Sequence, residues 1–178
     1  MKIGLVRHFK VRTPEIENRL NSSEFNQIMQ NYDHSPVIPS AIQIDADGWD
    51  LCYASTLSRA VETAKTIYRD EIINTDLIVE VPLSSFMNTN IPLPNMVWHV
   101  GGRIAWLFSC KSQIEDIKTT KQRIKDFMKL VEESGHKKIL VVSHGFFMKV
   151  FASQLKKYGY SGAIDFAPKN GKLYLFEK

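Results

Sequence analysis

The sequence predicts an α/β fold of three layers, with helices on both faces of a mostly parallel central sheet. Three observations predict it. Short strand-like runs alternate with segments of helical periodicity along all 178 residues. The interiors of the runs, Ile3-Gly4-Leu5-Val6 and Ile139-Leu140-Val141-Val142 among them, are apolar throughout, as strands covered on both faces must be. Finally, three strand-like runs end in polar residues where a helix begins: Arg7-His8, the stretch from Ser55 to Arg59, and Ser143-His144-Gly145. In a parallel sheet those junctions share the carboxyl edge, where open α/β sheets hold their ligands.

The elements follow in order. Residues 2–6 are the first strand. Thr13-Pro14 opens a helix, with Thr as cap and Pro at the first position, which runs to about residue 31 with a possible break at Asn21-Ser22-Ser23. Residues 33–50, rich in Pro, Ser, Asp and Gly, are a connection. Residues 51–54 are a short second strand. Ser55 or Thr56 caps a helix running to about residue 69, with Leu57, Ala60, Val61, Ala64 and Ile67 on one face. Residues 77–81 are read as the third strand and the proline-rich residues 82–95 as a surface loop. Residues 96–108 are a short apolar helix. Residues 112–133 carry the clearest amphipathic pattern (Ile114, Ile117, Ile124, Phe127, Met128, Val131), and Gly135 ends that helix. Residues 138–143 are the fourth strand, residues 145–157 a helix stopped at Gly159, and residues 173–177 a closing edge strand. A chain of this length suits one domain over residues 1–178.

Composition removes several function classes. Apolar content of 44% and charged content of 24% are those of an ordinary globular protein. No apolar run nears the roughly 20 residues that span a bilayer, and Met1-Lys2 leads straight into the first strand without room for a signal peptide. The expectation is a cytoplasmic protein with no membrane partner. The lysines behind the net charge of +4 are spread without a block, which reads as a solvated surface and not a nucleic-acid site. Cys52 and Cys110 form no disulfide or zinc motif, and Cys52 reads as a small buried apolar residue. The five histidines lack metal-ligand spacing, and Asp45, Asp47 and Asp50 lack the calcium-loop pattern. No phosphate loop or dinucleotide fingerprint is present. Neither metal nor cofactor is expected. Trp98 and Trp106 read as core residues.

Two arginines and two histidines remain at the sheet edge. Guanidinium donors match phosphate oxygens in pairs. A neutral imidazole nitrogen is a nucleophile near neutral pH. The combination points to phosphoryl chemistry without a metal.

The motifs also carry a resemblance. Leu5-Val6-Arg7-His8 resembles the Arg-His signature of the histidine phosphatase superfamily, with its phosphoglycerate mutase-like fold. The stretch from Ala54 to Ala64 looks like that family's second motif, Ser-x-Leu-x-Arg-Ala followed by Glu-Thr-Ala, and Val142-Ser143-His144-Gly145 looks like its third. Order and spacing agree over nearly the whole chain. The resemblance implies that His8 attacks phosphorus and is transiently phosphorylated. It implies that Arg7 and Arg59 hold the equatorial oxygens and that His144 is the second histidine of the phosphate pocket. The helices starting near residue 56 and at Gly145 would add backbone donors. Water would then hydrolyse the phosphohistidine, so the implied activity is that of a phosphatase on phosphomonoesters or a phosphoprotein. A phosphate-binding regulatory protein of the same fold is the alternative, and a phosphoglycerate-type mutase a weaker one.

Two departures from the family pattern stand out. Phe9 and Lys10 replace the usual glycine and polar or acidic residue after the nucleophile, and Pro14 replaces an asparagine often found six positions past it. Phe9 is expected to narrow the pocket or alter the turn, since it lacks glycine's dihedral range. Lys10 and Arg12 make the mouth more basic. More important, the family's general acid is commonly the glutamate of a Leu-x-Glu pattern after the third strand. The best alignment here is Leu83-Ser84-Ser85, and serine cannot protonate a leaving alkoxide usefully. Glu80 and His99 are the nearby alternatives. Some family members lack the acid and act on substrates with good leaving groups.

Overall fold

The structure is a computed structural model and describes residues 1–12, 17–33, 35–38 and 48–178. The chain forms two compact units: Met1–Val11, Pro36–Glu80 and Lys121–Lys178 in the first, Arg12–Ser35 and Val81–Thr120 in the second.

The first unit is built on a six-stranded sheet. Strands β1 (Lys2–Arg7), β3 (Leu51–Ser55), β4 (Ile72–Thr75) and β6 (Lys138–Ser143) run parallel, and β7 (Ser161–Gly162) and β8 (Leu173–Glu177) complete it antiparallel. The spatial order is β4-β3-β6-β1-β8-β7. Register aligns Val6 with Val142 and Val142 with Ala54, so Arg7, Ser143 and Ser55 end their strands side by side. Helix α2 (Ser58–Ile67) covers one face, where Ala60, Ala64 and Ile67 pack with Cys52, Ala54, Leu140 and Val142. Helices α4 (Ile117–Glu133) and α5 (Gly145–Lys157) supply the other: Phe127 meets Tyr53 edge-on at 5.3 Å and Phe151 at 5.6 Å. Each fully buried side chain of this size stabilises the fold by about 1.5–3 kcal/mol. Burial pushes the Cys52 thiol up to about 12, so it behaves as an apolar residue. The mostly parallel, doubly covered sheet is the architecture expected.

Several element readings differ from expectation, each for a physical reason. The third strand is Ile72–Thr75 and not residues 77–81. Thr75 Oγ1 accepts from the Leu77 amide and starts a 3-10 turn, Asp76–Ile78. Arg123 then donates to the carbonyls of Asp76, Leu77 and Val79, which a strand would have needed for pairing. The helix expected from residue 56 begins at Ser58, without a side-chain cap. Ser55 Oγ accepts from the Leu57 amide at 3.3 Å and faces a histidine, while the Thr56 hydroxyl donates to Asp76. The amphipathic helix expected from residue 112 begins at Ile117, because Asp116 Oδ1 accepts from the Thr119 amide at 2.8 Å. Finally, β8 is no edge strand: β1 pairs with one side of it and β7 with the other. Gly135 and Gly159 do take the positive φ that ends a helix, 70° and 86°.

The second unit holds α1 (Ser22–Asp33), α3 (Asn95–Leu107) and an antiparallel pair, β2 (Arg19–Leu20) with β5 (Leu93–Pro94). Helix α1 starts at Ser22; the start expected at Thr13-Pro14 lies outside the described residues. Asn21 Oδ1 accepts from the amides of Ser23 and Glu24, and the Glu24 carboxylate accepts from the Asn21 amide, a reciprocal cap. The expected break is therefore the start signal. Trp98 is fully buried, stacks with Phe25 at 5.7 Å and donates to the Leu20 carbonyl at 2.7 Å. Trp106 donates to Thr120 Oγ1. Among the described residues, no helix is long and apolar enough to cross a membrane.

Candidate active site

The candidate site lies within the first unit, at the carboxyl edge of β1, β3 and β6. His8 follows β1 and its amide donates to the Ser143 carbonyl at 2.9 Å. Its Nδ1 lies 2.6 Å from the Phe9 carbonyl. A carbonyl oxygen only accepts, so Nδ1 carries the proton and the lone pair is left on Nε2. Two long-range bonds hold this turn. Asn170 Nδ2 donates to the His8 carbonyl at 2.7 Å. The Phe9 amide donates to Thr63 Oγ1 at 2.9 Å, and that hydroxyl donates to the Arg59 carbonyl. Phe9 does not strain the turn, since Ser109 alone among described non-glycine residues has positive φ, and its side chain is buried in the core cluster with Val6 and Ala60.

Arg7, the last residue of β1, donates through Nη1 to the Pro168 carbonyl at 2.8 Å, and its own carbonyl accepts from the Gly171 amide. Its Nε is buried without a hydrogen-bond partner. A buried guanidinium donor left unpaired is costly unless an anion fills the place. Gly145, first residue of α5, lets that guanidinium approach: a Cβ there would lie 3.1 Å from Arg7 Nε and 3.2 Å from Cζ. Gly145→Ala is therefore expected to displace the Arg7 guanidinium by a few tenths of an ångström. Vanadate affinity should fall about tenfold while stability stays within about 1 kcal/mol of wild type. Isothermal calorimetry beside a thermal melt measures both, and unchanged vanadate binding would show that the approach is immaterial.

Arg59 projects from α2, almost wholly buried, and donates from Nε to His144 Nδ1 at 3.2 Å. His144 Nε2 therefore carries the ring proton and donates to Ser55 Oγ at 2.7 Å. The two imidazole rings lie 5.1 Å apart at 52°. The structure thus brings together the four predicted side chains Arg7, His8, Arg59 and His144, with Gly145 beside Arg7. The expected donors of α5 are in part taken: the amides of Phe146 and Phe147 donate to the Glu80 carboxylate, which complements the helix dipole. Ser85 and His99 belong to the second unit. There Ser85 exchanges two hydrogen bonds with the Asn26 amide, and His99 meets Phe25 edge-on at 5.4 Å. Burial, then Arg103, lowers the His99 pKa.

Sequence reasoning missed Asn170 and the Pro168 carbonyl, and it listed Thr63 and Ser55 only as motif or cap residues. Asn170-Gly171 carries a turn signal, but nothing local marks it as a partner of His8.

Burial lowers the His8 pKa to about 3; the Phe9 carbonyl bond opposes the shift, and Arg59 and Arg7 add to it. Burial also holds His144 well below the usual histidine value, with Arg59, His8 and Arg7 contributing. Both rings are neutral in the folded protein, whereas in the unfolded chain each titrates near pH 6.5. Above that pH neither state takes up a proton. As pH falls from 6.5 toward 3, the unfolded chain binds protons that the folded one does not, and stability drops. The expected loss between pH 6.5 and 5 is about 2 kcal/mol for His8, and His144 adds a loss in the same direction. Urea denaturation at pH 7.5 and 5.0 in phosphate-free buffer measures it; equal stability would mean that the rings are charged in the native state.

Two guanidinium groups and two neutral imidazoles stand around one strand edge, on a parallel α/β scaffold. The profile of the histidine phosphatase superfamily (branch 1) matches residues 40–177, and the chain belongs to that family. No curated protein matches it in sequence. Solved structures of similar fold include a mutant phosphoserine phosphatase from Entamoeba histolytica in complex with phosphoserine (17% identity, 99% of this chain and 90% of that one, TM-score 0.56). They also include the alpha-ribazole phosphatase of Shigella flexneri (16%, 98% and 96%, TM-score 0.53). A mycobacterial glucosyl-3-phosphoglycerate phosphatase is a third (14%, 88% and 79%, TM-score 0.54). At these identities the likeness is one of fold.

Proposed function

We propose that the chain is a metal-independent phosphatase that hydrolyses phosphomonoesters, on a small molecule or a protein, through a phosphohistidine on His8. The observation that carries this is the His8 tautomer: Nδ1–H is held by the Phe9 carbonyl, so the Nε2 lone pair is free, in the same pocket as the unpartnered Arg7 Nε donor. In the proposed step Nε2 forms a bond to phosphorus as the ester P–O bond breaks, its electron pair leaving with the oxygen. The imidazole gains positive charge, and the Nδ1–H bond to the carbonyl strengthens accordingly. Arg7 and Arg59 neutralise charge on the equatorial oxygens. Water then attacks the phosphohistidine, breaks the P–N bond, and leaves inorganic phosphate and neutral His8. With serine at position 85 the leaving group gets no help from a glutamate there, so the reading favours esters with good leaving groups. Residues 1–178 would act as one catalytic domain, in the cytoplasm and without a cofactor.

One observation favours a second reading, a pocket that binds phosphate without turnover. Both ring nitrogens of His144 are already engaged, by Arg59 and Ser55, and neither is left for a substrate. Hydrolysis of para-nitrophenyl phosphate between pH 5 and 8 in EDTA separates the two. Turnover that depends on His8 supports the phosphatase; vanadate binding without turnover supports the binding protein.

A further inference from the structure

The segment of residues 163–172 braces the site, and it also carries the most exposed large apolar side chain named among the described residues. Phe166 is 89% exposed. It is not on a slack loop. Asp165 Oδ2 accepts from the Tyr174 hydroxyl and pairs with Lys172, both at 2.8 Å, and the Lys169 amide donates to the Tyr174 hydroxyl. Beyond it the Pro168 carbonyl holds Arg7, and Asn170 and Gly171 hold the carbonyls of His8 and Arg7. Phe166 is therefore displayed between two fixed points, so a ligand that stacks on it pays little for ordering the loop. It lies two positions before Pro168, whose carbonyl touches Arg7, at most about 7 Å of chain.

Lys149 stands over the same ring, its Nζ 4.2 Å from the centroid. It lies four residues after Gly145 on α5, on the same helix face as the glycine that admits Arg7. Among the described residues Lys149 makes no ion pair, and the neighbouring carboxylate, Asp165, is committed to Lys172 and Tyr174. An ammonium covers one face of the phenyl ring and the rest stays open to solvent.

We propose that Phe166 and Lys149 form a leaving-group subsite beside the phosphate pocket, for a phosphomonoester whose leaving group carries a flat aromatic ring and a second negative charge. The ring stacks on Phe166 and the second anion meets the Lys149 ammonium. This rests on the phosphatase reading above and deepens it: the arginines and His8 handle the phosphoryl group, and this pair selects what it is attached to.

Three compounds test the two halves separately: the substrates phosphotyrosine (ring and carboxylate) and phenyl phosphate (ring alone), and phosphoserine (carboxylate alone), an alkyl ester read by its Ki against para-nitrophenyl phosphate. Phe166→Ala should raise KM about fivefold for the two aromatic esters and leave phosphoserine unchanged. Lys149→Met, which keeps the apolar stem, should raise KM for phosphotyrosine and not for phenyl phosphate. Since neither side chain touches the reacting atoms, kcat should stay within about twofold, and thermal melts should match wild type. Equal changes in KM or Ki for all three compounds, or none, with turnover still dependent on His8, would overturn the subsite alone. Turnover that is absent in wild type or survives in His8→Ala would overturn the phosphatase reading, and this one with it.

Discussion

Replacing His8 by alanine is expected to lower kcat for para-nitrophenyl phosphate by about a thousandfold or more, equivalent to ~4 kcal/mol of barrier. The reason is specific to this ring. Its Nδ1 proton is committed to the Phe9 carbonyl, and burial keeps the imidazole neutral far below pH 7, with a pKa of about 3. The unprotonated Nε2 is therefore present in nearly every molecule at working pH, and no other described group at the site has a free nucleophilic lone pair of this kind. His144 has none, since Arg59 donates to its Nδ1 and its Nε2–H donates to Ser55. Wild-type enzyme quenched in alkali during turnover should carry phosphate on His8, read by mass spectrometry, and the variant should carry none. Because the substitution also removes a buried hydrogen bond, a thermal melt must show a folded variant. A folded variant that retains turnover would sink the assignment.

The second large effect is expected at Arg59. Arg59→Met should lower kcat/KM by about 100- to 1,000-fold and weaken vanadate binding in parallel, because it removes a buried positive charge from the proposed phosphate pocket. It should also destabilise the fold by about 1–3 kcal/mol, since His144 Nδ1 loses its donor inside the protein. Arg59→Lys should rescue little: an ammonium cannot keep the Nε contact to His144 and present a planar fork to phosphate as well. Near-normal vanadate affinity in a folded Arg59→Met variant would show that this guanidinium supports His144 and not the anion.

Both positions are legible in the sequence. His8 follows an unbroken apolar strand, and Arg59 lies just inside a helix that follows another. Both features are local in sequence, so the alternation of elements places them at one sheet edge before any contact is known. The boundaries that went astray are those set by side chains reaching across the fold. Leu77 and Val79 look like part of a strand until Arg123 is seen to take their carbonyls. Asn21-Ser22-Ser23 looks like a break until the reciprocal bond with Glu24 makes it a helix start. The terminal strand looks like an edge because the two residues of β7 that cover it carry no strand signal.

By itself, then, the amino-acid order determined the layer architecture, the parallel core strands and the meeting of Arg7, His8, Arg59 and His144, because strand and helix periods are local properties of the chain. Only the tertiary structure decided which nitrogen of each histidine carries the proton, that Phe9 turns into the core, that Glu80 caps α5, and that Asn170 and Thr63 clamp the His8 turn. Apart from the His8 proton, which the adjacent Phe9 carbonyl fixes, those outcomes depend on hydrogen bonds between residues 54 to 162 positions apart. The energy of such a bond exists only once the chain has closed the loop between its partners.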